Sequence, residues 1–359
     1  AYSFTDYLQL IQILSFVGTY AFNLLSITLF LIPSLIFYNY NKKKKIFLLF
    51  FSILLLFTNF FYGSFIIKKN EEIEKTNLDF VIKIISPKID IKRFFQNEEP
   101  GETILDLIKL SKPNKLENTV FVFPEGVLSS IYLQDLKNYS YIFSENFSDK
   151  HKIILGINSY ENSKIFNSLV VLDKDLNILS KYNKNKLVPF GEYLPYENLL
   201  SNFGLKKITQ GYQSFSSGNE RKVINFNNIS FIPLICYEII YSGNINRKYR
   251  NFDFIINISE DGWFGNSVGL HQHFSHSIFR SIEEGKNLIR SANNGISAYI
   301  NSNGQIISKL ESTDKGFLEI KSFKTTKKTI FNSYGNKIFF YFLIFYISLI
   351  FFLKKKENK

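Results

Sequence analysis

Three side chains suited to acyl chemistry each stand just beyond an apolar, strand-like run. Glu125 lies in VFVFPEG between Pro124 and Gly126, Lys184 lies in YNKNKLVPFGEYLP, and Cys236 ends FIPLIC and leads directly into Tyr237 and Glu238. A carboxylate in a partly apolar setting is a candidate general base. A partly buried lysine can face a developing oxyanion, and a thiolate is a strong nucleophile. Each residue taken alone also has a plainer reading: a solvated turn glutamate, a surface lysine in a lysine-rich region, or a cysteine buried as a small apolar group. In chain order, however, base, cation and nucleophile each follow a strand. A parallel-like sheet would bring those strand ends to one rim, where the three can meet.

The polar residues from Glu238 onward are expected to open a helix, placing Cys236 on a strand-to-helix turn. There, backbone N–H groups would lower the thiol's pKa and stabilise an oxyanion beside it. Glu192, in the same loop as Lys184, is a second buried-carboxylate candidate. His271, His273 and His276 in HQHFSH lack zinc-site spacing, with no HExxH pattern and no cysteine partner, so no metal is expected. Trp263, the sole tryptophan, and Phe264 sit between glycines in SEDGWFGNS and are candidates to line a substrate entrance. Gly262, Gly265 and Gly269 make that loop a candidate to move.

The elements that must position these residues follow from pattern. The middle of the chain alternates β-rich runs at 80–85, 119–123, 152–157, 168–172, 231–235, 254–258, 297–301, 305–309 and 316–320 with helix-compatible stretches at 101–110, 130–146 and 271–288, and carries a loop-rich insert at 184–218. Interleaving of this kind predicts an α/β layered fold. The 45% hydrophobic content excludes general disorder. A single cysteine in 359 residues excludes an internal disulfide.

The ends differ from the middle. Residues 14–37 and 46–67 are almost wholly apolar and long enough to span a bilayer, which takes about 20 helical residues. A shorter third run, 338–353, is a plausible span. The expected division is therefore a transmembrane region at 1–67, a polar linker at 68–78, a catalytic domain at 79–333, and a third span with a basic tail at 334–359. The net charge of +12 gathers partly in the lysines at 42–45 and 354–356, beside the apolar ends. This favours a membrane over nucleic acid as partner, and no nucleic-acid-binding motif is present. Lysine clusters stay on the cytoplasmic side, so the middle domain is expected on the opposite face. The chain begins with Ala and contains no Met, so it is expected to be a piece of a longer product.

In their order, Glu125, Lys184 and Cys236 resemble the Glu-Lys-Cys triad of the nitrilase, or carbon–nitrogen hydrolase, superfamily. FPEG, YNKNKLVPFGEYLP, CYE, NISEDGWFGNS and the long run from Gln272 to Gly304, flanked by apolar spans, resemble more narrowly the apolipoprotein N-acyltransferase family. The resemblance departs in two ways: members usually have several more N-terminal spans, and Lys186 stands where many have His. It implies a nitrilase-like α-β-β-α sandwich flanked by transmembrane helices, in a bacterial inner membrane with the catalytic domain on the periplasmic side. It implies acyl transfer from a membrane phospholipid, through a thioester on Cys236, to the amine of a diacylglyceryl-cysteine apolipoprotein, with no cofactor. It makes Glu125 the base, Lys184 the oxyanion partner, and Glu192, Tyr237 and Glu238 supporting residues. A membrane-tethered nitrilase-type amidase and a non-catalytic lipid- or partner-binding protein are the alternatives.

Overall fold

The computed structural model describes residues 2–37, 41–96, 99–196, 214–226, 228–243, 245, 252–324 and 328–357. Much of the predicted insert, residues 197–213, and the last two residues of the basic tail lie outside these. Two six-stranded sheets pack face to face. One runs in the order β12-β1-β2-β3-β4-β5, built from Gly316–Phe323 (β12), Thr76–Ser86 (β1), Thr119–Val122 (β2), His151–Glu161 (β3), Lys164–Leu172 (β4) and Ile178–Asn183 (β5). The other runs β11-β10-β9-β8-β7-β6, from Ile306–Leu310 (β11), Ser297–Ile300 (β10), Asn287–Asn293 (β9), Phe254–Glu260 (β8), Ile229–Ile235 (β7) and Ile224–Phe226 (β6). Between the sheets lies an apolar layer that includes Ile84, Val122, Leu169, Phe231, Ile256 and Ile289, with Cys236 packed at its margin.

Each sheet covers its other face with helices, because its central strands are apolar on both sides and must bury both. On the first sheet, Pro100–Ser111 and Ser140–Asn146 pack over Phe121, Leu155 and Val170. On the second, Val268–Glu284 packs Phe274, Ile278 and Ile282 over Leu234, Ile255 and Leu288. The result is the expected α-β-β-α sandwich, but the site's strands are not those of a single parallel sheet. β1, β2 and β3 run parallel, β3, β4 and β5 alternate, and β7, β8 and β9 form a separate parallel set. Hence β2 and β5 end on the same rim of one sheet, while Cys236 reaches the site from the other.

The apolar ends form helices at Leu14–Leu31, Lys42–Glu71 and Lys337–Glu357. Two stretches, Leu14–Leu35 and Lys42–Glu71, are long and apolar enough to cross a membrane, and the third helix has a shorter apolar stretch, Lys337–Ser348. The first is interrupted at Gly18, whose φ of +76° breaks the helix. The second continues through Glu71 and β1 begins at Thr76, so helix and strand absorb most of the residues predicted as a linker. Two other boundaries move. The helix predicted at 271–288 stops at Glu284, where Gly285 takes the left-handed conformation, and β9 follows at once. The helix-compatible stretch 130–146 yields only Asp135–Tyr139 as a tight turn and Ser140–Asn146 as a helix.

Candidate active site

β2 delivers Glu125. The chain leaves the strand at Val122, turns through Pro124 and places Gly126 at φ +62°. The turn lies so close to β3 that a Cβ on Gly156 would stand 2.6 Å from Glu125 Cα. Glu125 Oε1 accepts from Asn167 Nδ2 at 2.6 Å and from Lys184 Nζ at 3.3 Å, and Oε2 accepts from the backbone N–H of Glu260 at 2.9 Å. β5 delivers Lys184 as the first residue past its end. The ammonium is 1% exposed and donates to Glu192 Oε1 at 2.8 Å, an oxygen that also accepts from Asn167 Nδ2 at 3.1 Å. Glu192 is fixed in turn by the Val188 N–H at 2.9 Å. Two carboxylates thus share one ammonium and one amide. Burial alone would push the Lys184 pKa down, but the Glu125 and Glu192 charges outweigh it and hold it well above the ordinary lysine value. The lysine stays a cation.

Cys236 enters from the facing sheet. Its φ is +49°, a left-handed conformation that costs a non-glycine residue roughly 1–2 kcal/mol. Where a helix was expected, only the five-residue 3₁₀ turn Cys236–Ile240 follows. The expected lowering of the thiol pKa is also overturned. Burial pushes it well above its ordinary value and the Glu125 charge adds to this, while Lys184 and a hydrogen bond with Ser259 offset only part. A turn this short brings too little aligned backbone dipole to compensate. At neutral pH the thiol therefore keeps its proton until a base takes it, and Glu125 is the carboxylate that acts on it most strongly.

Glu238 closes the arrangement. It is 1% exposed, and its Oε2 accepts from the Ile235 N–H at 2.9 Å. Oε1 accepts from Tyr182 Oη at 2.6 Å, from the N–H groups of Asn185 and Lys186 at 3.1 Å each, and from Arg221 Nη2 at 2.8 Å. One carboxylate thereby ties the cysteine turn of one sheet to the lysine loop of the other. Lys186 joins this network through its backbone. Tyr237, beside Cys236, packs its ring edge-on to Tyr241 at 6.0 Å between centroids.

Trp263 and Phe264 part company. Trp263 is 46% exposed and lies against Phe94 at 5.2 Å, whereas Phe264 turns inward to the His273 ring at 5.1 Å. The loop's glycines differ too: a Cβ on Gly262 would stand 2.7 Å from Glu260 Oε1, while one on Gly265 meets nothing within 4 Å. The three histidines do not converge. His273 is buried against Asp261 Oδ1 at 2.9 Å, His276 meets Tyr2 Oη at 2.6 Å, and His271 is exposed. Among the described residues no group of three or more His, Cys, Asp or Glu could hold a metal ion.

Several residues that shape the site were not singled out from sequence. Asn167 lies on β4 and orients both Glu125 and Glu192; its only sequence signal is an amide in the apolar strand IFNSLVV. Arg93, 2% exposed, donates to the carbonyl of Gly126 at 3.0 Å and pairs with the Glu260 carboxylate. It thus stitches the Glu125 turn to the end of β8. Beside them, Asp261 accepts from Arg290 at 2.7 Å and from Ser259 Oγ at 2.7 Å. Although burial opposes it, Arg290 with His273 and Ser259 holds the Asp261 carboxyl far below the usual carboxylate range.

Residues 103–321 match the carbon–nitrogen hydrolase family model. Among curated relatives, the apolipoprotein N-acyltransferase of Wigglesworthia glossinidia brevipalpis is 33% identical over 284 residues, 77% of this chain and 56% of its own length. That of Rickettsia prowazekii (strain Madrid E) is 33% identical over 288 residues, covering 76% and 57%, and that of Rhizobium rhizogenes is 30% identical over 282, covering 75% and 52%. The chain spans about half the length of the curated relatives it matches. A match across 103–321 takes in Glu125, Lys184, Cys236 and nearly all of both sheets, and on that ground the chain belongs to the carbon–nitrogen hydrolase family.

Proposed function

We propose that this chain transfers an acyl group from a membrane phospholipid to the N-terminal amine of a diacylglyceryl-cysteine lipoprotein, as an apolipoprotein N-acyltransferase. The observation that carries the reading is a buried lysine shared by Glu125 and Glu192, within electrostatic reach of a conformationally strained cysteine, in a domain against which apolar helices pack. The likeness to the curated N-acyltransferases supports this choice of substrates.

Glu125 takes the thiol proton and the thiolate attacks the ester carbonyl. Lys184 lies nearby as a fixed cation for the oxyanion, matched in charge to the transition state rather than to the neutral ester. Collapse breaks the acyl C–O bond, the proton on Glu125 passes to the departing lysophospholipid oxygen, and a thioester remains on Cys236. The lipoprotein amine then attacks the thioester, the C–S bond breaks, and one amine proton is relayed through Glu125 to the cysteine sulfur. Acyl bond energy is thus kept between the steps without metal or nucleotide. Glu192 and Glu238 hold Lys184 and the cysteine turn in place, and Trp263 lines the entrance.

The lysines at 42–45 and at 354–359 support a cytoplasmic location for those segments, in a bacterial inner membrane with the domain on the periplasmic face. The test is to supply the protein in phosphatidylethanolamine vesicles with a diacylglyceryl peptide and to follow peptide mass. A gain of one acyl chain on the peptide, lost in Cys236→Ala, is the expected result. Hydrolysis of small amides without transfer would identify a membrane-tethered amidase, and neither activity would leave a binding protein.

A further inference from the structure

Behind the nucleophile turn lies a buried polar joint that the chemistry above does not use. Where Gly18 breaks the first apolar helix, the Thr19 N–H loses its place in the helical ladder and donates instead to Glu283 Oε1 at 2.6 Å; the Thr19 hydroxyl donates to the same oxygen at 2.7 Å. Ser242 Oγ, just past the 3₁₀ turn that starts at Cys236, is a third donor to that oxygen at 2.7 Å. Arg280 pairs with Glu283 Oε2 at 3.0 Å, reaches the Ile240 carbonyl at 3.5 Å and donates to the Thr19 hydroxyl. Thr19, Ser242, Arg280 and Glu283 are each at most 3% exposed.

The last apolar helix grips the same turn. Asn336, immediately before Lys337–Glu357, donates to the Ser242 carbonyl at 2.7 Å and packs so tightly on Gly243 that a Cβ there would stand 2.7 Å from Asn336 Cγ. Gly18 is held from the other side, since a Cβ on it would fall 2.0 Å from the Phe331 ring. One oxygen of Glu283 therefore joins an apolar helix to the chain six residues after the nucleophile.

We infer that Glu283, Thr19 and Ser242 are positioning residues that lock the Cys236 turn to the apolar helices and so set where the thiol stands relative to the bilayer. The inference deepens the reading of Cys236 as the nucleophile for a membrane-borne acyl donor and rests on it. A fixed offset matters most for a donor confined to the membrane and least for a small soluble reagent, because the entropy of a confined reactant is recovered only at the right geometry.

The test uses the full chain in phosphatidylethanolamine vesicles, with Thr19→Val and Ser242→Ala, which keep the Arg280–Glu283 pair. Three quantities are read: thioester formation from the vesicle lipid, alkylation of Cys236 by iodoacetamide, and amide hydrogen exchange across residues 236–243. Each variant should lose about tenfold in thioester formation, keep the wild-type alkylation rate, and exchange faster across 236–243, whereas Ser242→Thr, which keeps the hydroxyl, should retain wild-type thioester formation and exchange. Unchanged exchange in Thr19→Val overturns the joint, as does a parallel fall of thioester formation and alkylation, which would mark general loss of structure. A wild type that forms no thioester from phospholipid overturns the proposed activity instead, and the exchange data then decide the joint by themselves.

Discussion

Two buried ionic clusters meet at the rim of the sandwich, and they are built to opposite ends. Around Asp261 and Glu260, each carboxylate has its own guanidinium, Arg290 for one and Arg93 for the other, with further donors filling the remaining oxygen positions. Around Glu125 and Glu192, two carboxylates share the single ammonium of Lys184. The matched cluster pairs each carboxylate with its own cation and acts as a frame. The unmatched cluster keeps an excess negative charge next to a thiol whose pKa is raised, and that excess is what can draw a proton away. Burial of charge by itself thus says little about chemistry; the count of partners separates frame from site.

The contrast is sharpest when single members are removed. Glu125→Gln keeps the Asn167 and Lys184 contacts in outline but removes the base, and acyl-enzyme formation should fall by about 10²–10⁴, read by single-turnover mass spectrometry. In the same variant, alkylation of Cys236 should climb roughly tenfold per pH unit past neutrality without an early plateau, because burial keeps the thiol protonated. Lys184→Met should cost about 10²–10³ in the same assay, and it leaves Glu125 and Glu192 facing each other unpaired. Loss of Arg290 should behave differently: Arg290→Met strands the Asp261 charge and should destabilise the fold by about 3–5 kcal/mol, seen in thermal unfolding in detergent. If Arg290→Met removed activity with no loss of stability, the division into frame and site would fail.

Glu284 offers a smaller test of the same idea, because its hydrogen-bond donor is an amide, Asn332, instead of a cation. Burial raises its pKa from 4.5 to about 7. Below about pH 4.5 both folded and unfolded states hold the proton and nothing is lost; as pH rises through 7 the unfolded carboxyl has ionised and the folded one must follow. Stability should therefore fall with rising pH by on the order of 3 kcal/mol from this group. Glu284→Gln should remove that fall, so its melting temperature should gain on the wild type between pH 5 and pH 8. An unchanged difference across that range would contradict the assignment.

Glu125 and Cys236 were legible as candidates because each follows an apolar run, Glu125 in the turn FPEG, and Lys184 because it opens the loop KNKLVPFGEYLP. An α/β layered fold followed from the alternation of runs, and the α-β-β-α order only from the family resemblance. The assignment of strands to sheets did not, since a strand apolar on both faces carries no mark of which sheet it joins. β5 is implied only as a strand before Lys184 and has no bounds in the sequence reading, because ILSKYN mixes apolar and polar residues without alternation; the first two residues of β9 fall in the expected helix at 271–288, because NLIRSAN continues directly from an amphipathic one. Asn167, Arg93 and Asp261 were invisible for a different reason: their partners are distant in sequence, and a polar residue's burial is decided by tertiary packing. The thiol's raised pKa was missed because a helix start was expected where the chain makes a single tight turn.

The most direct measurement is the mass of the intact protein after brief exposure to phosphatidylethanolamine without an acceptor. The wild type should gain one fatty-acyl mass, mapped to Cys236, cleaved by hydroxylamine and released when a diacylglyceryl peptide is added, while Cys236→Ala gains none. An acyl adduct that persists in Cys236→Ala, or transfer to the peptide with no adduct on Cys236 at any time, would contradict a thioester mechanism at this site.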